Sequence, residues 1–496
     1  MYAHHLDPFS IKIEHGVKLE NTQLTLGLNH MKTNLEFFSA TELLDAYSKK
    51  TVSPVEVTKA VLTRIQKFNP TINAFRLIDE QGAIENAKAS EERWSKGNPK
   101  GLVDGIPATI KDLVATKGWS TRRGSLTTDD SNLQDEDAPL VARLRSHGAV
   151  LLGKTTTPEF GWKGVTDSPL TGITRNPWDP SKTPGGSSGG AAAAAAACFG
   201  ALHHGSDGGG SIRMPSGYTG IYGLKPTFGR VPTWPASGFG TLSHQGPMTR
   251  TVDDAALMLS VMSESDSRDW YSLPSINYNW RDSIGRSVKG WRIAFSPDLG
   301  HAKVDPEIAS LVKAAAKTFS NLGAFVEEID PGLGNQHDLF KVFWYIGAAR
   351  LQANMTEEQL SLLDPGFRDV GLEGAEITIK QYLDATSERE SSGTKLNQFF
   401  DNYDILLTPT LPLTAFDAGQ EVPSGSNMKR WTEWTPFSYP FNLSRHPAAS
   451  IPCGLCSNGL PAGLQIIGQM NRDDKVLTAS RAYEVAHPIQ VPKLAS

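Results

Sequence analysis

The chain has 496 residues, a formal net charge of −5, and 39% hydrophobic against 20% charged residues. That length suits one large α/β unit or two or more average domains, and eleven tryptophans supply material for a sizeable core. The slightly acidic balance gives no nucleic-acid footprint. No stretch approaches the roughly 18 consecutive apolar residues of a membrane-spanning helix, so neither nucleic acid nor membrane is expected as a partner.

Residues 1–30, beginning MYAHHLDPFS, lack a basic region followed by an apolar core, so no secretory signal is read there. They show little helical period and are expected to lie outside the main fold, as a leader, an overextended start or a docking arm. A new pattern starts near Met31. It reads as one interleaved domain over 31–488, with no internal repeat and no Pro/Ser-rich linker, followed by a tail at 489–496.

The segment SATELLDAYSKKTVSPVEVTKAVLTRIQKF (39–68) predicts two helices. Ser39 with Glu42, and Ser53 with Glu56, have capping-box spacing, and Pro54 suits a first turn. Val57, Val61, Leu62 and Ile65 follow the helical period. Another polar helix is predicted over 81–96. Short apolar runs then alternate with helical stretches: GIPATIKDL, AVLLGKT and ALHHGSD around DAPLVARLRSHG (136–148). Strands are predicted at WRIAFSPD and FVEEIDP around a helix at 305–322, and again at YDILLTPT and AASIPCGL. Residues 336–400 read as a helical side layer. The alternation predicts an α/β fold with buried strands.

Cys198, Cys453 and Cys456 are too few for a disulfide framework and fit a reducing, cytoplasmic compartment. The C-x-x-C of IPCGLCSNGLP has no second half of a zinc site, so it reads as two small residues in a strand and turn. No metal and no cofactor is expected.

The chemistry concentrates in TPGGSSGGAAAAAAACFGALHHGSDGGGSIR (183–213). Gly185-Gly186-Ser187-Ser188-Gly189 fits G-x-S-x-G, the nucleophile elbow of α/β-hydrolases, which would require Asp or Glu and then His downstream. His301, His337, His446 and His487 are available for that reading. Further on, Gly208, Gly209 and Gly210 precede Ser211. Successive glycines let backbone N–H groups converge on an anion, as an oxyanion hole requires, and a serine closing such a loop is placed as a nucleophile. A glycine-rich turn before a helix starting at SIRMPSG reads equally well. A serine also needs a base. His203 and His204 alternate toward opposite faces. Lys111, Lys154 and Lys225 each end an apolar run and could act if burial made the amine neutral. The residues alone do not choose among the three.

Taken together, GGSSGG, GSDGGGSIRMPSGYTGIYGLKPTFGRV, GIPATIKD, LLGKTTTPEF, TRNPWDPSKTPGGSSGG, YDILLTPT and SIPCGLCSNGLPAGLQIIG stand in the order of the amidase signature family of serine hydrolases. The chain resembles that family from about 37 to 485. The resemblance implies a single large domain with a central mixed, mostly parallel twisted sheet covered by helices, its catalytic core at about 100–260. It also implies a Ser–cisSer–Lys triad. Lys111 matches the base. Ser187 matches the bridging serine, in a cis peptide with Gly186, and Ser211 the acylated nucleophile, 24 residues on. The amides of Gly208, Gly209, Gly210 and Ser211 would hold the oxyanion. Ser188, Asp207 and Arg213 would support the site, and Gly161 aligns with a backbone carbonyl near the scissile amide.

The family usually shows G-T-D-T-G-G-S where this chain has Gly205-Ser206-Asp207-Gly208-Gly209-Gly210-Ser211, so Gly208 stands in place of a side chain. The aromatic loop WTEWTPFSYPF (431–441) reads as core packing or as a substrate wall.

The resemblance implies a metal-free amidohydrolase acting on a small-molecule carboxamide, anilide, carbamate or ester, and a homodimer by resemblance alone. Two alternatives are a component of a glutamine-dependent amidotransferase acting on aminoacyl-tRNA and a Ser-His-Asp hydrolase using Ser187. The amidotransferase would need an acid near 431–441 to hold the glutamine amino group, and Glu433 is the acid there.

Overall fold

The computed structural model describes residues 34–275 and 278–494. The expected extension at 1–30 and the last two residues of the tail lie outside the described residues. Both capping boxes form: Ser39 caps the helix Ala40–Ser48, and Ser53 caps Pro54–Ile72 with proline in its first turn. Val57, Val61, Leu62 and Ile65 are buried along that second helix. It ends at Asn73, whose φ of 54° lies in the left-handed region that asparagine tolerates.

Eleven strands build one sheet. The first six are β1 (Phe75–Ile78), β2 (Pro107–Lys111), β3 (Val150–Thr155), β6 (Leu202–Asp207), β7 (Tyr222–Lys225) and β8 (His244–Thr249). The others are β9 (Arg292–Phe295), β10 (Phe325–Glu328), β11 (Ile405–Pro409), β12 (Ala448–Leu455) and β13 (Pro461–Gly468). The two-residue strands β4 (Asp167–Ser168) and β5 (Gly172–Ile173) pair apart from it. The sheet order is β1-β3-β2-β6-β8-β7-β12-β13-β11-β9-β10.

The sheet is mixed, as expected, but parallel pairs are the minority. Parallel pairing is confined to β3-β2-β6 and β11-β9-β10, and the middle of the sheet is antiparallel. The reason is connection length. Parallel neighbours need a crossover, whereas β12 and β13 are joined by residues 456–460 alone and must run antiparallel. The parallel β3, β2 and β6 end on the same side of the sheet, at Thr155, Lys111 and Asp207. In α/β sheets, binding crevices form outside such carboxyl ends.

The seven alanines form the helix Gly189–Ala196 and its cap, buried on every side. Small side chains let it sit against β3: a Cβ at Gly190 would lie 2.4 Å from Thr156 Oγ1. The helices His337–Gln352, Glu357–Ser361, Pro365–Ala375 and Ile379–Phe399 form a layer of their own. An aromatic core beneath it is shared with Trp162, Trp431, Trp434 and Tyr439.

Candidate active site

Lys111 ends β2 and is fully buried. Its Nζ lies 2.7 Å from Ser187 Oγ, 2.8 Å from Ser188 Oγ and 3.0 Å from Ser206 Oγ. Burial pushes the amine well below the ordinary lysine value, and the charge of Asp207 opposes this only in part. The positive end of the alanine helix, capped at Ser188, also disfavours an ammonium there.

The other two lysines sit differently. Lys154 Nζ donates to the Val114 carbonyl at 2.5 Å and lies 3.6 Å from the Asp112 carboxylate. Burial lowers it to about 8. Lys225 Nζ donates to the carbonyl of His446. Burial pushes it well below its ordinary value, with the nearby Arg213 charge adding to the effect. Lys111 alone of the three ends among serine hydroxyls.

Ser187 follows a cis peptide bond from Gly186. Its hydroxyl meets a lysine and no histidine among the described residues, so the Ser-His-Asp reading lacks its base. His204 accepts the Lys111 amide on Nδ1 at 3.4 Å and faces Gln245 Oε1 with Nε2 at 2.8 Å. Burial pushes it down to about 3, so it stays neutral. His446 is buried, with Nδ1 at 3.1 Å from the Ser444 carbonyl.

The 207–213 turn is organised by one buried carboxylate. Asp207 accepts the Gly210 amide at 2.7 Å and the Ile212 amide at 3.2 Å. It also takes both ends of the Arg213 guanidinium, at 2.9 and 3.0 Å, and the Asn442 amide at 2.8 Å. Burial alone would raise its pKa, but Arg213 holds the carboxyl well below the usual range. Arg213 reaches on to the Ser438 carbonyl and Gln465, each at 2.8 Å.

This geometry corrects the expected oxyanion donors. The Gly210 N–H points inward to Asp207, so Gly210 leaves the donor set. The amides of Gly208, Gly209 and Ser211 have no partner among the described residues. Gly210 is needed for shape instead: its φ is +129° and a Cβ there would fall 2.5 Å from Ser438 Oγ. The Ser438 hydroxyl fixes the Gly209 carbonyl at 2.6 Å. Aromatic side chains roof the loop. A Cβ at Gly208 would lie 3.0 Å from Trp344, and one at Gly209 would lie 2.7 Å from Phe340 and 2.9 Å from Trp431. The 431–441 loop packs as core, with Trp431 and Trp434 buried in the aromatic cluster.

Ser211 is held beside Ser187 by its carbonyl, which accepts the Ser188 amide at 3.2 Å. Among the described residues no hydrogen bond joins the hydroxyls of Ser187 and Ser211. Gly161, with a φ of +74°, lies against the site: a Cβ there would be 3.3 Å from Ser187 Oγ. An open cleft borders the site at Ser206 and is lined also by Leu113, Phe160 and the 232–239 loop.

The family model described as Amidase matches residues 56–477. The chain belongs to the amidase signature family. An acylamidase of Rhodococcus erythropolis is 37% identical over 462 residues, covering 92% of this chain and 96% of that protein. A glutamyl-tRNA(Gln) amidotransferase subunit of Methylococcus capsulatus is 34% identical, covering 90% and 96%. A solved bacterial aryl acylamidase of the amidase signature family superposes with a TM-score of 0.85 at 32% identity, covering 91% of this chain and 96% of that one. Like its family, this amidase signature enzyme acts on amides. No described helix is long and apolar enough to cross a membrane.

Sequence reasoning missed Ser206, the third hydroxyl on Lys111, because a serine inside a strand carries no signal. It also missed the inward turn of Gly210, although Asp207 three residues earlier offered one: aspartate accepts amides a few residues on. The C-x-x-C cysteines are free thiols, and burial raises Cys453 to about 12 and Cys456 to about 11. They are protonated and unreactive at neutral pH.

Proposed function

We propose that this chain hydrolyses a small-molecule carboxamide or anilide, with carbamates and esters as related substrates, through an acyl-enzyme on Ser211. The observation that carries this reading is a fully buried amine 2.7 Å from the hydroxyl of Ser187. A proton count orients it. Ser188 Oγ donates to the Ser206 carbonyl at 3.0 Å, so it can only accept from Lys111. A neutral amine has two protons and one lone pair. Donation to Ser188 and Ser206 uses both protons, which turns the lone pair to the Ser187 O–H.

Lys111 then takes the Ser187 proton while Ser187 takes that of Ser211, a contact that closes as substrate seats. Ser211 Oγ attacks the carbonyl carbon, and the amides of Gly208, Gly209 and Ser211 receive the oxyanion. The proton returns through Ser187 to the leaving nitrogen, the C–N bond breaks, and the amine departs. Water, deprotonated by the same relay, then hydrolyses the ester on Ser211 and releases the acid. Asp207 and Arg213 hold the loop, and in this reading, as the resemblance implies, the Gly161 carbonyl accepts the substrate N–H.

The amidotransferase reading is weaker here. Glu433 is exposed, and its carboxylate accepts the amides of Lys429 and Arg430 at 2.9 and 3.1 Å, capping its own turn. The test is a panel of anilides, primary amides, carbamates and esters, with Ser211→Ala alongside. Turnover is expected to fall by roughly 10⁴-fold or more, and a fluorophosphonate to label Ser211. Labelling of Ser187 instead would overturn the assignment.

A further inference from the structure

Three arginines contact Asp112, and the side chains of two of them are paired. Arg76 binds the Asp112 carboxylate with two N–H groups at 3.2 Å, and it also reaches Asp130. Arg122 binds Asp130 at 2.5 Å. The third, Arg123, forms no side-chain hydrogen bond or ion pair among the described residues. Arg123 instead lines a cleft together with Ser206 and Phe160. Among the described residues lining that cleft, Arg123 is the one that carries a charge, and most of the others are apolar.

The backbone fixes it there. The Arg123 N–H donates to the Asp112 carbonyl at 3.0 Å, and its carbonyl accepts the Phe160 N–H at 2.7 Å. Its φ of 55° is a left-handed conformation that non-glycine residues seldom adopt. Such an outlier, persisting where surroundings hold it, is a pointer to function. The cleft is continuous with the chemistry: Ser206 is 3.0 Å from Lys111 Nζ, and Phe160 precedes the Gly161 that touches Ser187. Burial lowers the Arg123 pKa, the mark of a cation short of solvation, and the charge of Asp112, itself bound by Arg76, opposes this only in part.

We propose that Arg123 is a specificity-determining residue that receives a carboxylate of the substrate, so that the preferred amides have an apolar or aromatic body carrying a carboxylate. A guanidinium presents a planar fork matched to a carboxylate, and in an otherwise apolar wall it discriminates by charge. This rests on the hydrolase reading above and deepens it.

The test uses matched pairs on the full chain: adipoyl against hexanoyl p-nitroanilide, and 4-acetamidobenzoate against 4-acetamidotoluene. The carboxylate member of at least one pair is expected to have a kcat/KM higher by about 10–100-fold. Arg123→Gln should collapse that ratio, and Arg123→Lys should restore part of it. An unchanged ratio in Arg123→Gln, or no preference in either pair, overturns the proposal.

A second arm needs no turnover. Calorimetric titration of the Ser211→Ala protein with 3-phenylpropanoate and 3-phenylpropanamide should show tighter binding of the carboxylate, lost on adding Arg123→Gln. Absence of carboxylate binding at millimolar concentration, or a preference that survives Arg123→Gln, also overturns it. Failed Ser211 labelling beside an Arg123-dependent carboxylate preference would sink the acyl-enzyme assignment to Ser211 and leave the carboxylate site standing.

Discussion

The floor and the roof of the site are built on opposite principles. The floor is side chains: one buried amine at the end of β2 among the hydroxyls of Ser187 and Ser188, at the start of the alanine helix, and of Ser206 in β6. The roof is backbone: glycines 208–210 under Trp344, Phe340 and Trp431, usable because side chains are missing there. The floor depends on which protons are free to move, the roof on how much space the rings leave. A change in the floor should therefore act as a switch, and a change in the roof should scale with the clash it causes.

The largest expected effect breaks or upholds the floor. Lys111→Ala should lower kcat/KM by roughly 10³-fold or more. Lys111→Arg should be as damaging, since a guanidinium stays charged at any working pH. Lys154→Met and Lys225→Met should instead reduce stability by about 1–3 kcal/mol in urea denaturation, because the first takes a cation from the buried Asp112 carboxylate and the second leaves the His446 carbonyl without its donor. Comparable activity losses in all three would show that burial, not the hydroxyl company, was the distinguishing feature.

The same amine sets a pH dependence. Burial lowers its folded pKa well below the ordinary lysine value, so the neutral amine persists to lower pH than in an exposed lysine and becomes protonated as the pH falls through that lowered value. kcat/KM should drop about tenfold per unit below it and stay flat above. The stability sign agrees. Between the lowered value and the ordinary lysine value the unfolded chain binds more protons, so this group makes stability rise with pH. A flat rate profile into strongly acidic buffer would break the assignment of Lys111 as base.

Much of the frame was legible in the sequence, for local reasons. Ser39 with Glu42 and Ser53 with Glu56 announce helix starts because their partners lie three residues away. Most strands follow from run length. β8 was not legible. HQGPMT contains glycine and proline, poor strand formers, yet it lies inside the sheet. Proline is accommodated because the ladder to β7 involves only Thr249 and Met248, so Pro247 lies just past its end. The resemblance supplied Lys111, Ser187 and Ser211, whereas the residues left three lysines equal. Their difference is tertiary: it depends on where β2, β3 and β7 bring each amine. Arg123 was invisible for the same reason, since an unpaired cation is recognised only once its neighbours are known to be paired elsewhere.

The roof gives the smaller and graded predictions. At Gly210 a methyl would meet Ser438 Oγ and Cβ at 2.5 and 2.6 Å, and φ of +129° already excludes an ordinary side chain. Ser438 cannot yield without releasing the Gly209 carbonyl. Gly210→Ala should therefore displace the neighbouring donors and lower kcat by about 10²–10³-fold, the scale of a lost oxyanion donor. At Gly208 the backbone is not left-handed, and a methyl would meet only Trp344, at 3.0 and 3.5 Å. That ring is stacked on Phe239 at 3.9 Å and tied to the Trp162 carbonyl at 3.0 Å, so it can give by a few tenths of an ångström but not swing away. Gly208→Ala should lower kcat by about tenfold or less. Gly208→Ala with Trp344→Phe, which thins the roof, should recover part of the loss. Equal losses at 208 and 210 would mean that the roof is as unforgiving as the floor and that flexibility, not clearance, governs the loop.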